Sequence, residues 1–318
     1  MAHYDVFNGD ADGICALHQL RLEDPRESTL VTGAKRDIAL LARVDAGSGD
    51  SVTALDISAS TNRAALEALL ARGVTVQYFD HHFAGELPRH PGLTAHIDTS
   101  PGVCTGMIVD RCLEGRWRVW AVVAAFGDNL ERSAVGLAEP LGLDKERLEA
   151  LRALGDNLAY NAYGDSESDL IAHPAELYRT VARYADPLRL VAEEPLLARI
   201  DAARRADLAR AEGLQPHAMF ERAAVYVLPD AAWSRRVRGV LGNALANRFP
   251  GRAHAILTRD GRGGFVVSVR APRDAPTGAD ALCRAFPSGG GRAAAAGINH
   301  LPEEGLSEFV RRLESAFG

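Results

Sequence analysis

A chain of 318 residues is longer than one average hydrophobic core holds, so two domains of ordinary size are expected. Its 47% hydrophobic and 25% charged residues are the balance of a soluble globular protein and exclude global disorder. The net charge of −6, with a pI near 5.9, excludes a broad basic face that grips long duplex DNA through many phosphates.

From residue 4 to about residue 97 short β-rich runs alternate with helical stretches, the signature of βαβ units around a mostly parallel sheet. Strands are predicted over residues 4–8, 29–32, 52–57 and 74–79, with a shorter one over 94–97. Beyond Pro101 the pattern turns helical, over 106–113, 117–126, 145–158 and 174–182, and this half is expected to cover one sheet face. Residues 198–212, alanine-rich and of mixed charge, read as a solvated helical connector. The remainder returns to an α/β rhythm, with strands at 224–228, 255–257 and 265–270 and helices near 235–248, 279–286 and 306–317. The domains are therefore set at 1–196 and 215–318, joined by a connector over 197–214, and the fold class is α/β in both.

Cys15, Cys104, Cys112 and Cys283 are scattered, with no C-x-x-C pair, which fits neither a zinc knuckle nor a secreted disulfide framework. The start, MAHYDVFNGDADG, lacks the basic and apolar regions of a signal peptide. The strongest apolar stretch, 119–126, is far short of the ~20 residues of a spanning helix. A cytoplasmic protein without a membrane partner is expected.

Four polar clusters fall at predicted element ends. In Asn8-Gly9-Asp10-Ala11-Asp12-Gly13 the two aspartates lie two apart and share a side of an extended segment, offering oxygens to a hard cation; a helix N-cap accounts for the same residues. Asp56 ends an apolar strand, at the sheet edge where α/β proteins bind ligands, and a cap role is again open. Asp80-His81-His82 also ends a strand; an imidazole can bind metal while a carboxylate fixes its tautomer. Gly127-Asp128-Asn129 follows the apolar helix and either delivers a carboxylate or caps the helix. Asp10, Asp12, Asp56, His81 and Asp128 make an oxygen-rich set suited to Mn²⁺ or Mg²⁺, enough to seat two ions. A metal pair about 3.5–4 Å apart can hold a bridging hydroxide and clamp phosphoryl oxygens, the logic of phosphoester hydrolysis.

In the second domain Ser288-Gly289-Gly290-Gly291-Arg292 reads as a glycine loop before a segment that could open a helix, where backbone N–H groups and the Arg292 guanidinium recognise a phosphate, carboxylate or ribose edge. Arg270, ending a strand, is a second phosphate clamp or a surface charge.

Taken in order, NGDADG, LDIS, DHH, GDN and GGGR resemble the DHH phosphoesterase superfamily, in its RecJ-like and nanoRNase-like branch with a DHH-associated C-terminal domain, over nearly the whole chain. The resemblance implies two Mn²⁺ (or Mg²⁺) ions on Asp10, Asp12, Asp56, His81 and Asp128, with Asp56 bridging, Asp80 and His82 at the reacting phosphate, and catalysis in the cleft between the domains. It implies that Arg270, Gly289, Gly290, Gly291 and Arg292 hold the substrate. Many relatives carry a histidine just upstream of the D-x-D, where this chain has Val6 and Asn8; the Asn8 amide oxygen is the expected replacement ligand. Arg292 stands where relatives place a histidine.

The expected activity is metal-dependent hydrolysis of short oligonucleotides, linear or cyclic dinucleotides or pAp-like nucleotides. The alternatives are RecJ-like exonuclease action on single strands, pyrophosphate hydrolysis, and a nucleotide-binding regulator with a weakened centre. No long duplex DNA partner is expected. A homodimer is compatible with the sequence, which contains nothing to fix the oligomeric state.

Overall fold

The computed structural model describes Met1–Gly318, and the chain divides into two compact units, Met1–Ala202 and Ala203–Gly318. The first contains strands β1 (His3–Phe7), β2 (Thr29–Val31), β3 (Ser51–Leu55), β4 (Thr75–Asp80) and β5 (Leu93–Ile97). Its helices are α1 (Ala11–Glu23), α2 (Arg63–Ala71), α3 (Thr105–Cys112), α4 (Arg118–Gly127), α5 (Glu131–Ala138), α6 (Lys145–Asn161), α7 (Pro174–Val181) and α8 (Pro187–Glu193). All five strands run parallel, in the order β2-β1-β3-β4-β5. The order reverses direction at β1, so loops leaving β1 and β3 diverge at their C-terminal ends and open a crevice there.

Alternation along each strand sorts the core. Val6, Val52, Ala54, Val76 and Tyr78 face α2 and the turn at Leu40 and Leu41. Phe7, Leu55 and Phe79 face α1, α3, α4 and α6, so the helical half covers one face as its position in the sequence predicts. The fold class read from the sequence is observed. Helices α5 and α8 lie outside the elements expected from the sequence; ERSAVGLA carries a mid-helix glycine, and PLRLVAE is two turns long, too short for its apolar spacing to register.

Burial on this side extends to charge. Asp5, wholly buried in β1, accepts from Arg21 Nε at 3.0 Å and from Ser28 Oγ at 2.6 Å, and lies 3.0 Å from His3 Nε2. Burial alone would raise its pKa, but these partners outweigh it and hold the carboxyl at about 2. A depressed carboxyl contributes stability above its unfolded value near 3.8 and loses it as pH falls toward 2. Asp5→Ala leaves the nearly buried Arg21 charge without its main partner, so a loss of about 3–5 kcal/mol is expected in urea unfolding; a change inside about 0.5 kcal/mol would assign the pair no structural weight.

Helix α9 (Pro195–Glu212) carries the chain from one unit to the next. It is less solvated than its composition predicts: Leu196, Leu197 and Ile200 join the first core, and Leu208 and Ala211 a cluster of the second. Asp207 is buried and accepts from Arg236 Nη2 at 2.7 Å.

The second unit holds β6 (Ala218–Met219), β7 (Ala223–Val227), α10 (Ala232–Arg248), β8 (Ala253–Arg259), β9 (Gly264–Arg270), α11 (Ala279–Arg284), β10 (Gly289–Arg292), β11 (Ala295–Pro302) and α12 (Leu306–Phe317). They form one mixed sheet, β10-β11-β9-β8-β7-β6, parallel only between β7 and β8. The glycine stretch is corrected here: it is neither a loop nor the entry to a helix. Gly289–Arg292 is an edge strand paired antiparallel to β11, and the alanines after it turn a hairpin. Alternate burial of Ala296 and Ile298 marks β11, but a register shift between Ile298 and Leu301 breaks the period that would have shown it in the sequence. No helix is long and apolar enough to cross a membrane.

Candidate metal centre

The polar clusters of the first unit converge on the C-terminal edge of the parallel sheet. Asp10 and Asp12 follow β1, Asp56 follows β3, and Asp80, His81 and His82 end β4, three neighbouring strands about 4.8 Å apart. Asp128 comes from the opposite side as the C-cap of α4. Its placement needs Gly127, where a Cβ would lie 2.2 Å from that of Ala11, so only glycine lets α4 approach α1 this closely. Gly13 does the same for the first turn: a Cβ there would meet the Asn8 carbonyl oxygen at 2.1 Å.

Three of the carboxylates are oriented by backbone or hydroxyl donors. Asp10 caps α1, its Oδ1 accepting from the N–H groups of Asp12 and Gly13 at 3.0 and 3.2 Å. Asp12 accepts from Thr105 and Gly106, the first N–H groups of α3, at 2.7 Å each. Asp56 accepts from Thr105 Oγ1 at 3.2 Å. Asp56 itself adopts a left-handed backbone at φ 58°, a conformation costly for most side chains and common where a functional group must be aimed.

His81 Nε2 lies 3.4 Å from Asp56 Oδ1, 3.9 Å from Asp12 Oδ2 and 3.9 Å from Asp128 Oδ2. Two ligands each about 2.1 Å from one ion stand about 3 Å apart at right angles and about 4 Å apart when opposed, so these separations suit a shared divalent ion. Asp12, His81 and Asp128 offer one set of donor atoms within 4.8 Å of one another, and Asp56, His81 and His82 a second. The electrostatics point the same way. Burial, together with Asp12 and Asp10, pushes the Asp56 carboxyl well above the ordinary carboxylate range, and burial with Asp12 raises Asp128 to about 6. Four carboxylates crowded out of water are stable as anions only with added positive charge, and the oxygen-rich set Asp12, His81 and Asp128 fits Mn²⁺ or Mg²⁺.

Metal must therefore compete with protons here. The apparent Mn²⁺ affinity of the metal-free protein is expected to rise with pH through about 6, as Asp128 gives up its proton, and calorimetric titration across that range checks it. Affinity unchanged between about pH 5 and 8 would remove Asp128 from the ligand set.

His82 is turned by its neighbour: its Nδ1 lies 2.7 Å from Asp80 Oδ1, and that hydrogen bond raises the imidazole pKa. Asp80 is wholly buried, and the His82 ring is the group it faces. Its Oδ2 has no hydrogen-bond partner.

Asn8 braces the loop: its Oδ1 accepts from the Asp10 N–H at 3.2 Å and its Nδ2 donates to the Lys35 carbonyl at 3.2 Å. Val6 is in the core. The group facing Asp10 is Lys35, whose Nζ lies 2.5 Å from Asp10 Oδ2 and 3.6 Å from Asp128 Oδ1. No motif marked it; the one available signal was that the chain has only two lysines, Lys35 and Lys145.

In the second unit Arg292, Ala295 and Arg270 are directly opposed across β10, β11 and β9, which puts both arginines on one face, two strands or about 10 Å apart. Arg270 Nε donates to Asn243 Oδ1 at 2.7 Å, and its Nη1 to Ser268 Oγ at 2.9 Å. Arg292 is exposed.

Solved structures share this fold. The chain matches exonuclease RecJ bound to manganese with a TM-score of 0.65 and 19% identity, covering 99% of this chain and 89% of that one. It matches RecJ in complex with Mn²⁺ from Thermus thermophilus with a TM-score of 0.64 and 20% identity over 99% of this chain, spanning about half, 51%, of that protein. RecJ in complex with Mg²⁺ from the same organism matches with a TM-score of 0.52 and 17% identity, over 99% of this chain and 49% of that one. At these identities the likeness establishes a RecJ-like fold. No sequence-family model matches the chain, and no curated protein matches it.

Proposed function

We propose that this protein is a Mn²⁺- or Mg²⁺-dependent phosphoesterase that hydrolyses short oligonucleotides, linear or cyclic dinucleotides or pAp-like nucleotides. The observation that carries the reading is the convergence of Asp12, Asp56, Asp128 and His81 Nε2 at the C-terminal edge of a parallel sheet. A divalent ion held there supplies a Lewis acid for phosphoryl oxygens and a water of lowered pKa. The residues supply the rest. Asp56, Asp12, Asp128 and His81 would hold the ion, and the α3 N-terminus fixes Asp12. His82, steadied by Asp80, presents its other ring edge to a phosphoryl or leaving oxygen and donates a proton there.

A nucleotide, as against pyrophosphate, is favoured by Phe83, which follows His82 and is 77% exposed. Ser58 Oγ donates to its carbonyl at 2.9 Å and ties the backbone there, which leaves the ring open for a base to stack on. Arg270 and Arg292, on one face of the second unit's own sheet, are proposed to bind a phosphate there.

The second reading, exonuclease action on longer single strands, has its own support in charge distribution. From Ala203 onward the chain carries 17 arginines and no lysine against 11 acidic residues, so the acidity of the whole protein resides in the first unit. Incubation with Mn²⁺ and a length series of single strands separates the two. Preferential cleavage of dinucleotide and short RNA supports the first reading; rates that hold or rise on long single-stranded DNA move the assignment to the second.

A further inference from the structure

We infer that the Lys35 ammonium is a built-in cation occupying the Asp10 side of the acidic cluster, so that the two divalent-ion positions are unequal: one open, one filled only by expelling an amine. The inference deepens the metal-centre reading and rests on it.

Asp10 and Asp12 are differently committed. Asp12 spends one hydrogen bond on each oxygen, both to backbone N–H groups, and keeps lone pairs toward His81 and Asp128. Asp10 spends Oδ1 on two N–H groups of its own helix and Oδ2 on Lys35 Nζ at 2.5 Å. Accordingly Asp10 belongs to neither of the two sets of donor atoms gathered within 4.8 Å.

Lys35 is held there by its backbone. Its N–H donates to the Ala162 carbonyl at 2.9 Å and its own carbonyl accepts from Asn8 Nδ2 at 3.2 Å, which anchors the residue on both sides. Its side chain is 37% exposed, enough to swing outward without unfolding the loop. Residue type matters too. The chain uses arginine for 34 of its 36 basic residues, and its other lysine, Lys145, is an exposed residue at the start of α6. An ammonium is a compact point charge that resembles a small ion in size, which a planar guanidinium does not.

Four carboxylates and one ammonium leave the cluster strongly negative. A first ion at Asp12, His81 and Asp128 meets the Lys35 ammonium only at a distance, 3.6 Å from Asp128 Oδ1. A second ion on the Asp10 side must displace Lys35, and the ammonium is lost from Asp10 and Asp128 in the exchange.

The test is a Mn²⁺ titration of the metal-free full-length protein at fixed pH, followed by calorimetry and by electron paramagnetic resonance, on wild type, Lys35→Met and Lys35→Gln. Wild type is expected to bind one Mn²⁺ with an isolated-ion spectrum and a second at least about tenfold more weakly. Both variants are expected to take two ions at comparable affinity and to show the spectrum of a spin-coupled pair at two equivalents. Retention of the first tight site in the variants shows that they fold. Two equal sites in wild type, or variants indistinguishable from wild type, overturn the role of Lys35 while leaving the metal centre standing. No Mn²⁺ binding by wild type overturns the metal centre itself.

Discussion

Asp56→Asn is expected to abolish metal-dependent turnover while leaving the metal-free protein at least as stable as wild type. The two effects have one cause. Asp56 is buried among Asp10 and Asp12, and burial with those like charges pushes its carboxyl well above the ordinary range. An acid whose folded pKa is raised destabilises the fold at every pH where it is ionised, so an isosteric neutral amide relieves that repulsion in the absence of metal. Asparagine tolerates the left-handed backbone at φ 58°, which alanine does not, so the variant isolates charge from strain. Turnover is another matter, because the carboxylate faces His81 Nε2 at 3.4 Å and supplies charge to the cluster. Loss of even an outer partner of a ligand costs about 10- to 100-fold, and loss of a ligand itself should exceed that. Steady-state rates with added Mn²⁺, beside thermal melts of chelator-treated protein, check both. Full activity in Asp56→Asn would overturn the assignment of the site.

The second large effect belongs to the Asp80–His82 pair. His82→Ala removes the proposed proton donor and should lower kcat by about 10²–10⁴-fold with a small change in KM. Asp80→Asn keeps the shape but takes the charge that fixes the imidazole, so a smaller loss of about 10- to 100-fold is expected. The pair of variants together should cost little more than His82→Ala alone, because Asp80 acts through His82 at 2.7 Å. Losses that multiply fully would give Asp80 a role independent of the histidine. Circular dichroism on each variant keeps folding apart from chemistry, since Asp80 is wholly buried.

What the sequence disclosed and what it hid divide along physical lines. The parallel sheet was legible because its strands are apolar runs of β-branched and aromatic residues ended by polar groups, and Asp10, Asp12, Asp56, His81 and Asp128 lie where those ends meet. Strand ends can be read from the chain alone; what a side chain points at cannot. Asn8 has the chemistry of a ligand and spends it on the Asp10 N–H. Lys35 lies in a polar loop after β2 without periodicity or motif, and only the tertiary fold carries it to Asp10. The glycine stretch misled for a different reason. Gly289, Gly290 and Gly291 lack the side chains that give a strand its alternation, and the antiparallel partner Ala295–Pro302 that makes it one is itself rich in small residues.

Hydrolysis at a phosphorus atom by a metal centre in the first unit predicts where solvent oxygen ends up. The most direct measurement incubates chelator-treated, Mn²⁺-reconstituted protein with a linear dinucleotide in ¹⁸O-water and weighs the products. One labelled oxygen in the phosphate monoester formed at the cleaved bond, with no product when Mn²⁺ and Mg²⁺ are withheld, is the predicted result. Unlabelled products, equal product without metal, or an intact dinucleotide at full Mn²⁺ occupancy would contradict it.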